Sequence, residues 1–341
     1  MSLRLACPSR CFRVLSALML VALVSACALT FQLGSRWTAE HLRYHPLTDR
    51  IWDTGAGRFV EPEAVAQALA RADFVLLGER HDNPDHHRLQ ARLLRRLAAL
   101  GRRPAVAFEM LTSEQAEPLA RHLAAQPGDA AGIGEAVGWE KSGWPPWPLY
   151  QPIAEAALAA EAPLLAASLP RRQLRAVVKQ GAASLGEAKA RALGLETELP
   201  AAAATRLHDD IVAAHCDQLP SSMIRPMATA QRVKDAEMAA TLTRGLAMAG
   251  RTTAVLIAGD GHIRRDYGVP WHLGRLAPGT RTLVVAMLEV DEASTRAGDY
   301  AAAYGGALPF DFVWFTPAVD LDDPCEKYAE ALRRVKAKKR Q

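Results

Sequence analysis

Two short stretches of the 341-residue sequence place an imidazole two residues after a carboxylate: Glu79-Arg80-His81 and Asp260-Gly261-His262. Each follows an apolar run that ends in glycine, Gly78 in the first and Gly259 in the second. A third carboxylate, Glu109, closes the run Pro104-Ala105-Val106-Ala107-Phe108. Groups of this kind can hold a divalent metal through oxygen and imidazole ligands, or can work as acid and base. The plainer alternative is a hydrogen-bonded network that only supports its loops. Glu79, His81, Glu109 and His262 are therefore the candidate catalytic or metal-ligating set. Arg264, Arg265 and His272 lie just beyond and can meet carboxylates of a ligand. A Gly-x-Ser-x-Gly elbow is absent, which disfavours a serine hydrolase.

For these groups to meet, their apolar runs must be neighbouring strands. Phe74-Val75-Leu76-Leu77 has the length and composition of a buried parallel strand. Asn83-Pro84 then starts a helix predicted to reach about Leu100, since Asn accepts from free N–H groups and Pro gives up a donor that had no partner. His86 and His87 fall in its first two turns, where at least one can lean toward the Glu79 loop. Strands are expected at 104–108, 163–167, 253–258, 282–287 and 311–315. Such an alternation predicts an α/β fold, a parallel sheet flanked by helices, with its site at the carboxyl edge. Between 171 and 250 no strand pattern occurs, only amphipathic stretches, which predicts a smaller inserted α-helical domain. Within it Met227, Gln231, Lys234 or Asp235, and Met238 share a helical face, more readily core than a ligand cage.

The aromatic residues, only 6% of the chain, concentrate in one place. Trp139-Glu140-Lys141-Ser142-Gly143-Trp144-Pro145-Pro146-Trp147-Pro148-Leu149-Tyr150 is expected to be a loop, because its prolines oppose regular structure. Its rings either pack on the domain or line a cavity for a flat apolar ligand.

Half of the residues are hydrophobic and 23% charged, enough for a sizeable core. The N-terminus has basic residues Arg4, Arg10 and Arg13, an apolar run over 14–24, and then Ser25-Ala26-Cys27. The run is short of the roughly 20 residues a span needs, and the pattern is that of a signal peptide. Val24-Ser25-Ala26-Cys27 resembles a bacterial lipobox, with Cys27 as lipid acceptor; Ala28 after it points to the outer membrane. Removing 1–26 takes three arginines and no acid, lowering the net charge from +4 to +1. Nothing then suggests a nucleic-acid surface. Of the other cysteines only Cys216 and Cys325 lie outside the signal, and sequence cannot say whether they pair. The expected organisation is a signal over 1–26, a tether over 27–46, an α/β domain over 47–170 and 251–341, and a helical domain over 171–250.

Six motifs, taken in order, resemble those of ChaN-like haem-binding uptake lipoproteins. They are Leu77-Gly78-Glu79-Arg80-His81-Asp82-Asn83, Ala107-Phe108-Glu109-Met110, Trp147-Pro148-Leu149-Tyr150, His215-Cys216, the run from Gln231-Arg232-Val233-Lys234-Asp235 to Ala239, and Ala258-Gly259-Asp260-Gly261-His262. The resemblance implies a periplasm-facing lipoprotein of iron acquisition, partnered by an outer-membrane receptor, with two protomers holding haem through tyrosine. Tyr150 is the first match for the iron ligand and Tyr267 the competitor, with Arg264 and Arg265 suited to the two propionates. The wider resemblance to Tiki, TraB and erythromycin-esterase-like proteins implies the rival reading, a metal-dependent hydrolase built on Glu79, His81, Glu109 and His262.

Overall fold

The computed structural model describes residues 37–327 together with 329, 330 and 333. The expected signal at 1–26, Cys27, the expected tether up to residue 36 and most of the basic C-terminal run lie outside the described residues. A hairpin comes first, β1 (Ile51–Asp53) and β2 (Arg58–Val60). Then follow β3 (Phe74–Glu79), β4 (Pro104–Thr112), β5 (Leu164–Ser168), β6 (Thr253–Gly259), β7 (Thr282–Glu289) and β8 (Phe312–Thr316). Every residue of β3 and β6 is buried, which explains their unbroken apolar sequence. The eight strands form one sheet in the order β2-β1-β8-β7-β3-β6-β4-β5, parallel except where β1 pairs with β2 and β8. The chain leaves β3 toward β4 and leaves β6 toward β7, in opposite directions, so a crevice opens at the carboxyl ends of these central strands. The predicted class, a parallel α/β sheet flanked by helices, is the one observed.

The helices before β5 are α1 (Pro62–Leu69), α2 (Pro84–Ala99), α3 (Ala116–Ala125), the single turn α4 (Ile133–Ala136) and α5 (Trp147–Ala159). Helix α2 starts as its sequence predicts: Asn83 accepts from the backbone N–H groups of Asp85 and His86, with Pro84 next. One expectation fails, because the second part of the aromatic stretch is not a loop. Helix α5 begins at Trp147, with Pro148 in its first turn, where the missing N–H costs nothing.

Between Arg171 and Leu246 every described element is helical: α6 (Arg171–Gln180), α7 (Glu187–Ala192), α8 (Ala201–Ala214) and α9 (Ser221–Leu246), joined in part by a 3-10 turn. Helix α9 is shared between two cores. Val233 and Ala236 join an apolar cluster with Val177, Leu193 and Leu195, while Met238, Ala239 and Leu242 pack with Ala107, Ala254 and Leu256 of the sheet. Contact with the sheet is close: a Cβ on Gly245 would stand 2.8 Å from Leu165 Cδ1. The Met stripe is thus largely core. After β6 comes α10 (Val269–Leu276), and the chain from Ala39 onward makes one compact unit. Among the described residues no helix is long and apolar enough to cross a membrane.

Cys216 and Cys325 form a disulfide that joins the turn after α8 to the segment following β8. It closes a ring across 109 residues, and cross-linking a loop of that length removes unfolded-chain entropy worth about 3–5 kcal/mol. Cys216→Ser is expected to lower the free energy of unfolding by about 2–4 kcal/mol in a denaturant titration. A variant as stable as the wild type would show that the ring constrains little.

Candidate functional site

The carboxyl ends of β3, β6 and β4 lie side by side, and the two carboxylates stand on either side of Gly259. Glu79 is level with Gly259 across the β3–β6 pair, and the Gly259 N–H donates to Glu109 Oε2 at 3.0 Å. Strand β4 runs on to Thr112, past its expected end, but its pairing with β6 stops at Phe108 and its register with β5 shifts between Phe108 and Thr112, so Glu109 sits at an irregularity of the ladder. Glycine is required here by proximity. A Cβ on Gly259 would come within 3.0 Å of His81 Nε2, and one on Gly78 would collide with Asp260 Oδ1. Asp260 therefore points beneath β3 and not into the crevice. Burial and the nearby Glu79 charge push its carboxyl well above the usual range.

Around Glu79, His81 Nδ1–H donates to Oε1 at 2.9 Å, and His87 Nδ1 faces Oε2 at 3.4 Å. Nε2–H of His87 donates to the His81 carbonyl at 3.0 Å, so His87 is the α2 histidine that leans under the loop. His86 turns elsewhere, its Nδ1 accepting from Arg80 N–H and its Nε2 meeting Thr316 Oγ1. Burial, reinforced by the charges of His87 and Arg80, holds His86 far below the ordinary imidazole value. Glu79 is fully buried, which would raise its carboxyl, yet the His87 and His81 rings prevail and lower it. His81 is raised, since its bond and charge interaction with Glu79 outweigh burial.

Around Glu109 the partners come from elsewhere in the chain. Lys234 Nζ of α9 donates to Oε1 at 2.7 Å, and His262 Nε2 lies 3.0 Å from the same oxygen. His262 Nδ1–H donates to Asp235 Oδ1 at 2.5 Å, and the Gln231 amide lies 3.0 Å away. Burial opposes ionisation of Glu109, but the charges of His262 and Lys234 hold it well below the carboxylate range. The same pairing raises His262 against its own burial, with Glu109 as the largest favourable contribution. Two members reach solvent, His81 with 31% of its side chain exposed and Lys234 with 22%. The arrangement is a buried carboxylate–imidazole array whose mouth is an imidazole and an ammonium, able to move protons and to polarise a carbonyl. Among the described residues no group of three or more His, Cys, Asp or Glu side chains is set to hold a metal ion, so the divalent-metal alternative finds no support.

The four residues Glu79, His81, Glu109 and His262 are brought together as their spacing implies. Lys234, Asp235 and Gln231 complete the array without having been placed in the site from sequence. Their signal was the charge and amide that share a helical face with Met227 and Met238. The proposed propionate partners are otherwise engaged. Arg264 pairs with Asp266 and Asp210, and Arg265 pairs through two nitrogens with Asp311. His272 is pushed down to about 3 by burial and by the charges of Arg232 and Arg275, so it offers no cation to a ligand.

Both candidate tyrosines are buried. Tyr150 has no exposed surface; its hydroxyl reaches the His81 carbonyl at 3.4 Å, and its ring packs on His87 and Trp139. Burial and the Glu79 and Glu109 charges raise it, which disfavours a phenolate. Tyr267 donates to Asp210 Oδ2 at 2.7 Å beneath the Arg264 guanidinium and is likewise raised, chiefly by burial. Trp139 and Trp147 are core, with their indole N–H groups satisfied by the carbonyls of Pro145 and Ala130. Trp144 alone of these three indoles is half-buried at the surface, with its ring centre 4.6 Å from that of His81.

A parallel α/β sheet with a carboxylate–imidazole array at its edge defines the structural class. Residues 65–273 match the family described as haem-binding uptake, Tiki superfamily, ChaN, and the chain belongs to that family. Its fold is similar to a solved structure described as cofacial heme binding to ChaN of Campylobacter jejuni. The TM-score is 0.59 at 21% identity, covering 77% of this chain and 95% of that one. Weaker likenesses are to the type III effector HopBA1 (12% identity, 83% and 99% covered, TM-score 0.46) and to an erythromycin esterase, EreC, in its open conformation (14%, 76% and 95%, 0.41). No curated protein matches the chain by sequence.

The array has a pH signature. Glu109 is depressed, so its stabilisation is present above the unfolded carboxylate value of about 4.3 and lost as pH falls through its folded value. His262 is raised, so its share is full below about 6.5 and lost as pH rises through its folded value. The stability difference between wild type and His262→Ala should therefore peak between those limits and shrink on the alkaline side. Lys234→Met should cost on the order of 3 kcal/mol at neutral pH, because it strips one of two cations from a buried carboxylate. Denaturant unfolding across pH measures both, and a flat difference would mean that Glu109 and His262 do not interact.

Proposed function

We propose that this chain binds ferric haem as part of an uptake system, with a tyrosine as iron ligand, two protomers sharing haem, and a lipid on Cys27 holding it to the outer membrane near a receptor. The observation that carries the reading is the family match over 65–273. The solved structure of similar fold, described as binding heme cofacially, supports it. Haem supplies ferric iron, two carboxylates and a broad apolar face. Tyr150 remains the first choice of ligand: its hydroxyl is joined through His81 to Trp144 at the surface, whereas Tyr267 is held by Asp210 under Arg264. Ligation requires the Tyr150 hydroxyl to leave the His81 carbonyl.

Titration of the full-length chain with ferric haem should give a saturable complex with a phenolate-to-iron charge-transfer band. Tyr150→Phe should abolish that band while the far-ultraviolet circular dichroism stays unchanged. If the band survives in Tyr150→Phe and disappears in Tyr267→Phe, the ligand moves to Tyr267. Tyr44, 99% exposed, is a third position for the same comparison.

A second reading rests on the Glu79–His81 pair. A buried carboxylate orients an imidazole whose ring reaches solvent beside Lys234, the arrangement of a general base with a cation ready to meet a developing negative charge. Such a centre would hydrolyse an ester with water as nucleophile and no metal. Turnover of activated esters that is lost in His81→Ala and in Glu79→Gln would support it, and no turnover in the wild type removes it.

A further inference from the structure

Beside the carboxylate–imidazole array, and not used by it, is a cavity of about 400 Å3 within the range of small-ligand sites. Trp144 and Met110 line it together with four cations, Lys141, Arg171, Arg172 and Arg175, and a single acid, Glu114. Arg171 is partly engaged, donating to the Ser142 carbonyl. No ion pair involves Lys141, Arg172 or Arg175 among the described residues. The contrast with the rest of the carboxyl edge is sharp, since Arg80, Arg264 and Arg265 are each bound to acids.

These cations are placed against ordinary electrostatics. Arg171 and Arg172 stand in the first turn of α6, where the helix dipole is already positive, and that turn has no acid. Like charges gathered around a cavity are unfavourable for the fold alone and are relieved by an anion. One small anion would leave part of the charge unanswered, whereas two carboxylates on one molecule would meet it. The cavity borders the site through one side chain: Trp144 lines it and touches His81 edge to face. An apolar body attached to the carboxylates would therefore find an aromatic surface leading to the mouth of the array.

We propose that this cleft binds the paired carboxylates of haem, its two propionates, through Lys141, Arg172 and Arg175, with Trp144 offering an aromatic surface to the porphyrin. The assignment rests on the haem-binding reading and puts these three cations in the place that the sequence suggested for Arg264 and Arg265. Because Arg172 and Arg175 are exposed, their removal leaves the core intact.

The test compares ferric protoporphyrin IX with its dimethyl ester, which keeps the iron and the ring and cancels both charges, on the full-length chain in detergent. The wild type should prefer the free acid by about tenfold or more, since losing charge-assisted bonds to a carboxylate is worth at least that factor. Arg172→Ala with Arg175→Ala should bring the ratio near one and weaken the salt dependence of binding, with an unchanged unfolding midpoint. Binding of both porphyrins with equal affinity by the wild type, or a preference retained by the double variant, overturns the cleft assignment while the haem reading stands. A wild type that binds neither porphyrin overturns both.

Discussion

A carboxylate held out of water must be given cations by the protein, and Glu109 is where this structure meets that demand. Placed just beyond the last β4–β6 pair, where the β4–β5 register shifts, it has no basic neighbour on its own strand. Its compensation comes from Lys234, far along the chain on α9, and from His262, on the turn after β6. The helical insert is therefore bound to the sheet by charge as well as by Met238 and Leu242. Asp235, next to Lys234, turns the opposite way round the same imidazole. The insert thus determines both the ionisation and the orientation of the two groups that the sheet delivers.

The carboxyl edge was legible because its grammar is local. An apolar run ending in glycine, then an acid, then a histidine two residues on, fixes where a side chain leaves a buried strand. Two such runs on neighbouring strands must bring their ends together. The glycines could be read in the same way, since backbone passing this close to Asp260 or His81 leaves no room for a Cβ. Asn83-Pro84 and the strand boundaries belong to the same class of signal.

What sequence left open depended on contacts between distant segments. Nothing local says that Lys234 faces Glu109 while Arg264 faces Asp210, because each is a basic residue near an acidic neighbourhood. The aromatic stretch misled for a different reason. Proline opposes a helix interior but suits its first turn, so Pro148 marked a helix start where density of prolines had suggested a loop. Aromatic residues packed together also look alike on paper whether they form a core or line a cavity. Trp139, Trp147 and Tyr150 do the former and Trp144 the latter.

The disulfide has a temporal meaning as well as an energetic one. Chains emerge from their amino terminus, and Cys325 lies beyond the last strand, so its thiol becomes available only after every element of the sheet has been made. Until then Cys216 waits unpaired on the helical insert. An oxidant acting early has no correct partner to offer it within the chain's folded part. Once closed, the bond ties the helical insert to the carboxyl-terminal segment that follows β8, the stretch of the chain made last.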